Sequence, residues 1–165
     1  MEDLQVYLVN LGKYNEGESV GAWFHLPLDK EEVSERLGLN EVYEEYAVHD
    51  YEMPMDLPEY ISVDALNEIY ENLCCLDEDG IEFCVIDEMI GICGSLEELV
   101  EHREDIQVYP DVDDEVDLAY YFVEECNSEW PELAKRYFDY KAYGRDLLIE
   151  GHFIFGKNGA YEICL

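Results

Sequence analysis

Basic residues are scarce in this chain of 165 residues, with nine Lys or Arg against 42 Asp or Glu and a formal net charge of −33. That balance repels nucleic acid, anionic lipid and acidic substrates, and it directs attention to basic proteins or cations as partners. Apolar runs approaching the ~20 residues that cross a bilayer are missing, and the opening MEDLQVYLVN lacks the basic stretch of a signal peptide. A cytoplasmic chain with no membrane partner is expected. The six cysteines (Cys74, Cys75, Cys84, Cys93, Cys126, Cys164) form no CxxC pair, and His25, His49, His102 and His152 lie far apart, so zinc-ligand spacing is absent. Reduced thiols, mostly in the core, are expected.

Catalytic signatures are also thin. A Gly-rich phosphate loop is absent, and no nucleophile, base and oxyanion donor stand at recognisable spacing. Gly17-Glu18-Ser19-Val20-Gly21 matches GxSxG, but a nucleophile elbow needs a buried strand before its serine and a helix after it, and Ser19 falls between two expected antiparallel strands. Asp77, Asp79 and Gly80, and then Asp111, Asp113, Asp114 and Glu115, supply hard oxygen ligands without the calcium-loop spacing. Aligning Gly80 with the loop glycine puts Cys75 first and Ile86 last, and the second group has Val116 at the glycine position. Carboxylate pairs are so numerous that none is specific. The chain is therefore read as a non-enzyme without metal or cofactor.

What is abundant argues for folding. Hydrophobic residues make up 48% and aromatics 13%, including fourteen tyrosines, enough to build cores despite the charge. The charge is even: residues 1–61 carry 15 acids and 3 bases, 62–103 carry 12 and 1, and 104–165 carry 15 and 5. Crowding it into one sphere is costly, so an elongated α+β chain of three small domains in a row is expected, an N-terminal antiparallel sheet plus helix, a mostly helical middle, and C-terminal helices plus a β-hairpin.

Local patterns place the elements. Residues 4–11 and 20–26 read as an antiparallel strand pair around the turn GKYNEGES, and 42–51 as a third strand. Asp29 and Glu32 form a capping box for a helix that Gly38 closes. Ser62 caps a helix with Val63, Leu66, Ile69, Tyr70 and Leu73 on one face; Ile81 to Cys93 and the segment after Ser95 continue the helical middle. IQVYP reads as a short strand, Asp113 opens a helix with Val116, Ala119, Tyr120 and Val123 on its apolar face, Pro131 suits a first turn capped near Ser128, and Asp139 caps a helix through Leu148. HFIFG and AYEICL then form a hairpin around Asn158-Gly159, whose residue types suit a type I′ turn.

The charge has two readings at this level, a solvated coat and a dedicated electrostatic surface. B-DNA carries one charge per ~1.7 Å of axis, so 33 charges correspond to roughly 55 Å, or about 16 base pairs. Imitation of a duplex is thus physically feasible.

Three blocks narrow the choice: Val9-Asn10-Leu11-Gly12-Lys13-Tyr14-Asn15-Glu16-Gly17 through Gly21-Ala22-Trp23 and Leu26-Pro27; Tyr43 through Glu52; and Trp130-Pro131-Glu132-Leu133 through Tyr137-Phe138-Asp139-Tyr140-Lys141-Ala142-Tyr143-Gly144-Arg145-Asp146-Leu147. Through them the whole chain resembles the ArdA family of antirestriction proteins, and the third block resembles that family's antirestriction motif. The resemblance implies a non-catalytic DNA mimic, encoded on mobile elements such as conjugative plasmids, that blocks type I restriction-modification enzymes at their methyltransferase core and forms a homodimer. An acidic histone-like chaperone or general binder of basic proteins is the alternative.

Under that resemblance the expected phosphate surrogates are Glu31, Glu32, Glu35, Asp64, Glu68, Glu71, Glu97, Glu98, Glu101, Asp111, Asp113, Asp114, Glu115, Asp117, Glu124 and Glu125. The aromatic group Trp130, Tyr137, Phe138, Tyr140 and Tyr143 is expected to supply core packing and, through its exposed part, the dimer contact, where Lys135, Arg136, Lys141 and Arg145 lower like-charge repulsion.

Overall fold

Alternating Val6 and Leu8, both fully buried, make residues 5–10 the central strand of an antiparallel sheet. In the computed structural model, which describes residues 4–124 and 130–164, the chain forms two compact units, 1–80 and 81–165. The fold is mixed α+β, with three-stranded sheets towards both ends and helices between them.

In the first unit β1 (Gln5–Asn10) lies between β2 (Gly21–His25) and β3 (Tyr46–Glu52). A bulge between Tyr7 and Leu8 shifts the β1–β3 register, from Tyr7 opposite Asp50 to Leu8 opposite Val48. Where the glycines suggested a plain turn, one helical turn forms, α1 (Leu11–Asn15). Its cause is Asn10, which is fully buried: its side chain accepts a hydrogen bond from Lys13 N at 3.0 Å and donates one to Leu37 O at 3.0 Å, so burial leaves it satisfied. α2 (Lys30–Leu37) starts at Asp29, whose carboxylate accepts from Glu32 N, and ends at Gly38 in the left-handed region (φ 64°) as its capping pattern predicts. Val33 and Leu37, four apart, are its buried face.

The third strand begins four residues later than expected. The Asn40 side chain accepts from Val42 N at 2.9 Å and Tyr43 N at 3.3 Å, which holds the chain in a turn before it can extend. α3 (Val63–Glu78), capped by Ser62, buries Val63, Leu66, Leu73 and Leu76. Within the first unit it is bonded to the segment before α2 by Asn67, which accepts from Leu28 N at 2.6 Å and donates to Leu28 O at 2.8 Å.

The second unit contains α4 (Phe83–Cys93), α5 (Leu96–Glu101), a 3-10 turn at Arg103–Asp105, β4 (Ile106–Pro110), α6 (Glu115–Glu124), α7 (Glu132–Arg136), α8 (Tyr140–Glu150), β5 (Phe153–Phe155) and β6 (Gly159–Ile163). Its sheet order is β4-β6-β5, all antiparallel. Tyr109, Val112, Leu118 and Ala160 form a buried cluster on which Tyr121, Phe122, Leu147, Leu148, Phe153 and Phe155 pack. α6 and α8 touch at Gly144, where a Cβ would lie 1.8 Å from Glu115 O.

Several local expectations shift. Asp114, not Asp113, caps α6, accepting from Val116 N at 2.8 Å and Asp117 N at 3.0 Å. Leu118, Ala119 and Val123 are the buried face of α6, while Tyr120 is exposed and stacks on Tyr140, their ring centroids 3.9 Å apart. Pro131 stands at the N-cap of α7 rather than inside its first turn, and Ser128 lies outside the described residues. The hairpin loop is not type I′, which needs positive φ at both central residues: Asp111 is the only non-glycine at positive φ among the described residues. Glu82 organises the loop instead. Its carboxylate accepts from Lys157 N at 2.8 Å, Asn158 N at 3.2 Å and Asn158 Nδ2 at 2.5 Å.

None of the five described cysteines is in the core, where most were expected: Cys75, Cys84 and Cys164 are exposed and Cys74 and Cys93 half-buried. On α3, Leu73 and Leu76 take the inward positions and leave Cys74 and Cys75 on the flanks. Cys126 lies outside the described residues. No helix among the described residues is long and apolar enough to cross a membrane.

Candidate functional site

On amphipathic helices the apolar stripe turns inward, so acids between stripe positions are carried outward. Glu31, Glu32 and Glu35 are exposed on α2, opposite Val33 and Leu37. Asp64, Glu68 and Glu71 are exposed along one side of α3. Lys30 Nζ meets Asp64 at 2.6 Å, tying the start of α2 to the start of α3, so these two acidic faces of the first unit adjoin. Arg36 pairs with Glu32 at 3.0 Å while its guanidinium lies 4.4 Å from the centroid of the Phe24 ring.

In the second unit Glu97, Glu98 and Glu101 are exposed on α5. Asp111, Asp113, Asp114 and Asp117 are exposed around the β4–α6 connection, where Asp111 takes φ 61°. That left-handed conformation is one that Asp tolerates better than most residues. Glu115 is half-buried beneath α8. Glu124 is exposed but engaged: Lys135 Nζ donates to it at 2.5 Å and Tyr140 OH at 3.2 Å. The Lys135 hydrogen bond holds the Glu124 carboxyl below its ordinary range, and Glu124 in turn raises Lys135. Lys135 is only 8% exposed, an inward cation that Glu124 satisfies. Glu125 lies outside the described residues.

Many further carboxylates reach solvent, among them Glu41, Glu44, Glu45, Asp50, Glu52 and Glu59 around β3 and Asp87 and Glu88 on α4. Helical periodicity could not single out those around β3, which lie on a strand and its flanks. Among the described residues no group of three or more His, Cys, Asp or Glu is arranged to hold a metal ion. Ser19 sits in the loop between α1 and β2 and is followed by a strand, so the strand–serine–helix geometry of a nucleophile elbow is not formed there.

A second theme is tyrosine. Among the described residues, phenols donate to carboxylates at several places: Tyr43 to Glu16 at 2.8 Å, Tyr51 to Asp56 at 2.9 Å, Tyr109 to Glu162 at 2.5 Å, Tyr140 to Glu124, and Tyr161 to Glu82 at 3.3 Å. Such bonds favour the ionised carboxylate and the neutral phenol. Accordingly the hydrogen bond to Glu16 raises Tyr43, that to Asp56 raises Tyr51, and burial followed by the Glu162 bond pushes Tyr109 well above its ordinary range.

The expected aromatic group does gather. Phe138 is central, with edge-on contacts to Trp130 (5.3 Å), Tyr140 (5.1 Å) and Tyr143 (5.4 Å) between ring centroids. Tyr137 points away, 81% exposed, and Leu133 and Trp130 are also exposed.

A family model described as antirestriction protein (ArdA) matches residues 6–162. The chain belongs to the ArdA antirestriction family. Interference with restriction is therefore the activity of its kind, and restriction enzymes are the class of protein it meets. No curated protein matches the chain. Within this family member, the block from Trp130 to Leu147 corresponds to α7, α8 and their aromatic cluster, and the block from Tyr43 to Glu52 to β3 and the turn before it.

Proposed function

We propose that this ArdA family member is a non-catalytic DNA mimic that occupies the DNA-binding groove of type I restriction-modification enzymes, at the methyltransferase core. The observation that supports it most is the exposure of acidic faces on both units with few cations among them: residues 1–80 carry 21 acids and 3 bases, and 81–165 carry 21 and 6. The mechanism is competition. Lys and Arg that would bind phosphates bind Glu31, Glu35, Glu68, Glu71, Glu97, Glu98, Glu101, Asp113 and Asp117 instead, and many weak contacts sum to a tight one. Glu124 contributes less, being engaged by Lys135. The protein acts as a homodimer joined through the exposed aromatics Tyr137 and Trp130, inside the bacterial cell that receives foreign DNA.

The test is competition between the protein and target-site DNA for a purified type I methyltransferase. Mutual displacement is expected, together with lost DNA cleavage. Failure to displace DNA overturns the reading, and equal affinity for unrelated basic proteins points to a general binder.

A further inference from the structure

The turn before β3 and the segment leading into α3 enclose a cleft of about 340 Å³ in the first unit, lined chiefly by Leu11, Glu44, Glu45, Tyr46, Tyr60 and Ile61. Its frame is fixed by hydrogen bonds. Leu11 N donates to Glu45 O at 3.0 Å, Val48 N donates to Glu59 O at 2.9 Å, and the Tyr46 hydroxyl accepts from Val63 N at 2.9 Å, so that Tyr46 helps cap α3. Its mouth is different. The Glu44 and Glu45 side chains are exposed and have no hydrogen bond or ion pair among the described residues, and Tyr60 is 68% exposed, so its phenol is open to a partner.

We propose that this cleft receives one arginine side chain of the restriction enzyme, the guanidinium meeting the Glu44 and Glu45 carboxylates and lying against Tyr60, its methylenes against Leu11 and Ile61. Resting on the DNA-mimic reading, this adds a localised anchor to a diffuse line of charge. The chemistry selects arginine. A planar guanidinium both forks to carboxylates and stacks on an aromatic face, whereas a lysine ammonium is a strongly hydrated point charge that does neither as well. Anions are repelled, and two carboxylates without a third ligand do not make a metal site. A phosphodiester offers an arginine no aromatic face or apolar wall, so the cleft gives the protein a contact that DNA cannot match.

The test is an NMR titration of the full chain with N-acetyl-arginine amide in moderate salt, paired with restriction-inhibition assays. Saturating perturbations confined to residues 44–46 and 60–61, several-fold weaker with N-acetyl-lysine amide and abolished by Tyr60→Ala, are expected. Because Tyr60 is mostly exposed, Y60A keeps the fold, and unchanged amide dispersion verifies that. Its net charge is also unchanged, yet it should inhibit about tenfold more weakly. Perturbations spread evenly over the acidic helices, or Y60A inhibiting like the parent, overturn the proposal. Should the parent fail to inhibit a type I enzyme, the DNA-mimic reading falls, and the titration alone decides the cleft.

Discussion

Replacing Gly144 by alanine puts a methyl group where α6 and α8 touch. An ideal Cβ there lies 1.8 Å from Glu115 O, 2.6 Å from Glu115 C and 3.3 Å from Glu115 Cβ. Carbon and carbonyl oxygen rarely approach closer than ~3.3 Å, so the helices must part locally by roughly 1.5 Å. Two of the three obstacles are backbone atoms, which no rotamer change removes. The separation would loosen Leu118, Ala119, Leu147 and Leu148 in the core of the second unit. Overpacking of this kind costs about 1–3 kcal/mol, and a backbone clash places it at the upper end; alanine's better helix propensity returns about 1 kcal/mol. The net loss is about 2 kcal/mol, which lowers the melting temperature of an 85-residue unit by about 10 °C. Gly91 supplies the control. It lies in α4, exposed, with nothing within 4 Å of a built Cβ, so Gly91→Ala should gain up to about 1 kcal/mol from propensity alone. Urea unfolding followed by near-ultraviolet circular dichroism measures both. A Gly144→Ala protein as stable as its parent would refute the close-packed α6–α8 contact.

Glu82→Ala should free the hairpin loop, since three donors from Lys157 and Asn158 lose their acceptor; faster amide exchange at residues 157–158 with β6 still protected is the expected result, and unchanged exchange would count against the latch. Tyr109 is neutral in the folded protein to a higher pH than in the unfolded chain, so its contribution is whole below pH 10 and is lost as pH rises above it; Tyr109→Phe should flatten that alkaline loss in denaturation curves. Glu124 has the opposite sign: its lowered pKa stabilises above the unfolded value of 4.5 and is lost as pH falls through it, and Glu124→Gln should remove that part of the acid dependence. Tyr137→Asp, at an 81% exposed position, should leave the fold intact and weaken self-association in sedimentation; a fully dimeric variant would exclude Tyr137 from the contact. Inhibition should weaken as salt rises, with a shallower slope than DNA shows on the same enzyme, and salt-independent affinity would sink the electrostatic account.

Capping chemistry was the most legible part of the fold. Asp29, Ser62, Ser95 and Asp139 each accept a hydrogen bond from the backbone N–H three residues on, because that geometry depends on a few adjacent residues. What escaped depended on distant partners. Asn10 caps α1 through Lys13 N but is held buried there by its donation to Leu37 O, 27 residues on, and Glu82 shapes a loop 75 residues away, replacing the turn that Asn158-Gly159 suggested. The acidic helix faces were readable from periodicity, whereas the engagement of Glu124 by Lys135 and the half-burial of Glu115 follow from how α6, α7 and α8 meet. The cleft beside Tyr60 had no local sign, since its walls come from three separate segments.

The tyrosines connect stability with charge. A carboxylate near a packed core needs donors, and the usual choice, Lys or Arg, would cancel one negative charge for each bond made. A phenol donates without cancelling anything. At Glu16, Asp56, Glu82 and Glu162 the described side-chain donors include a tyrosine hydroxyl and no Lys or Arg side chain. Each such bond ties two segments together without adding a positive charge, as Tyr109 on β4 does with Glu162 on β6. Aromatic rings also supply apolar area that few other polar residues offer. Fourteen tyrosines beside nine cations fit that use of the phenol, which keeps the net charge far from zero.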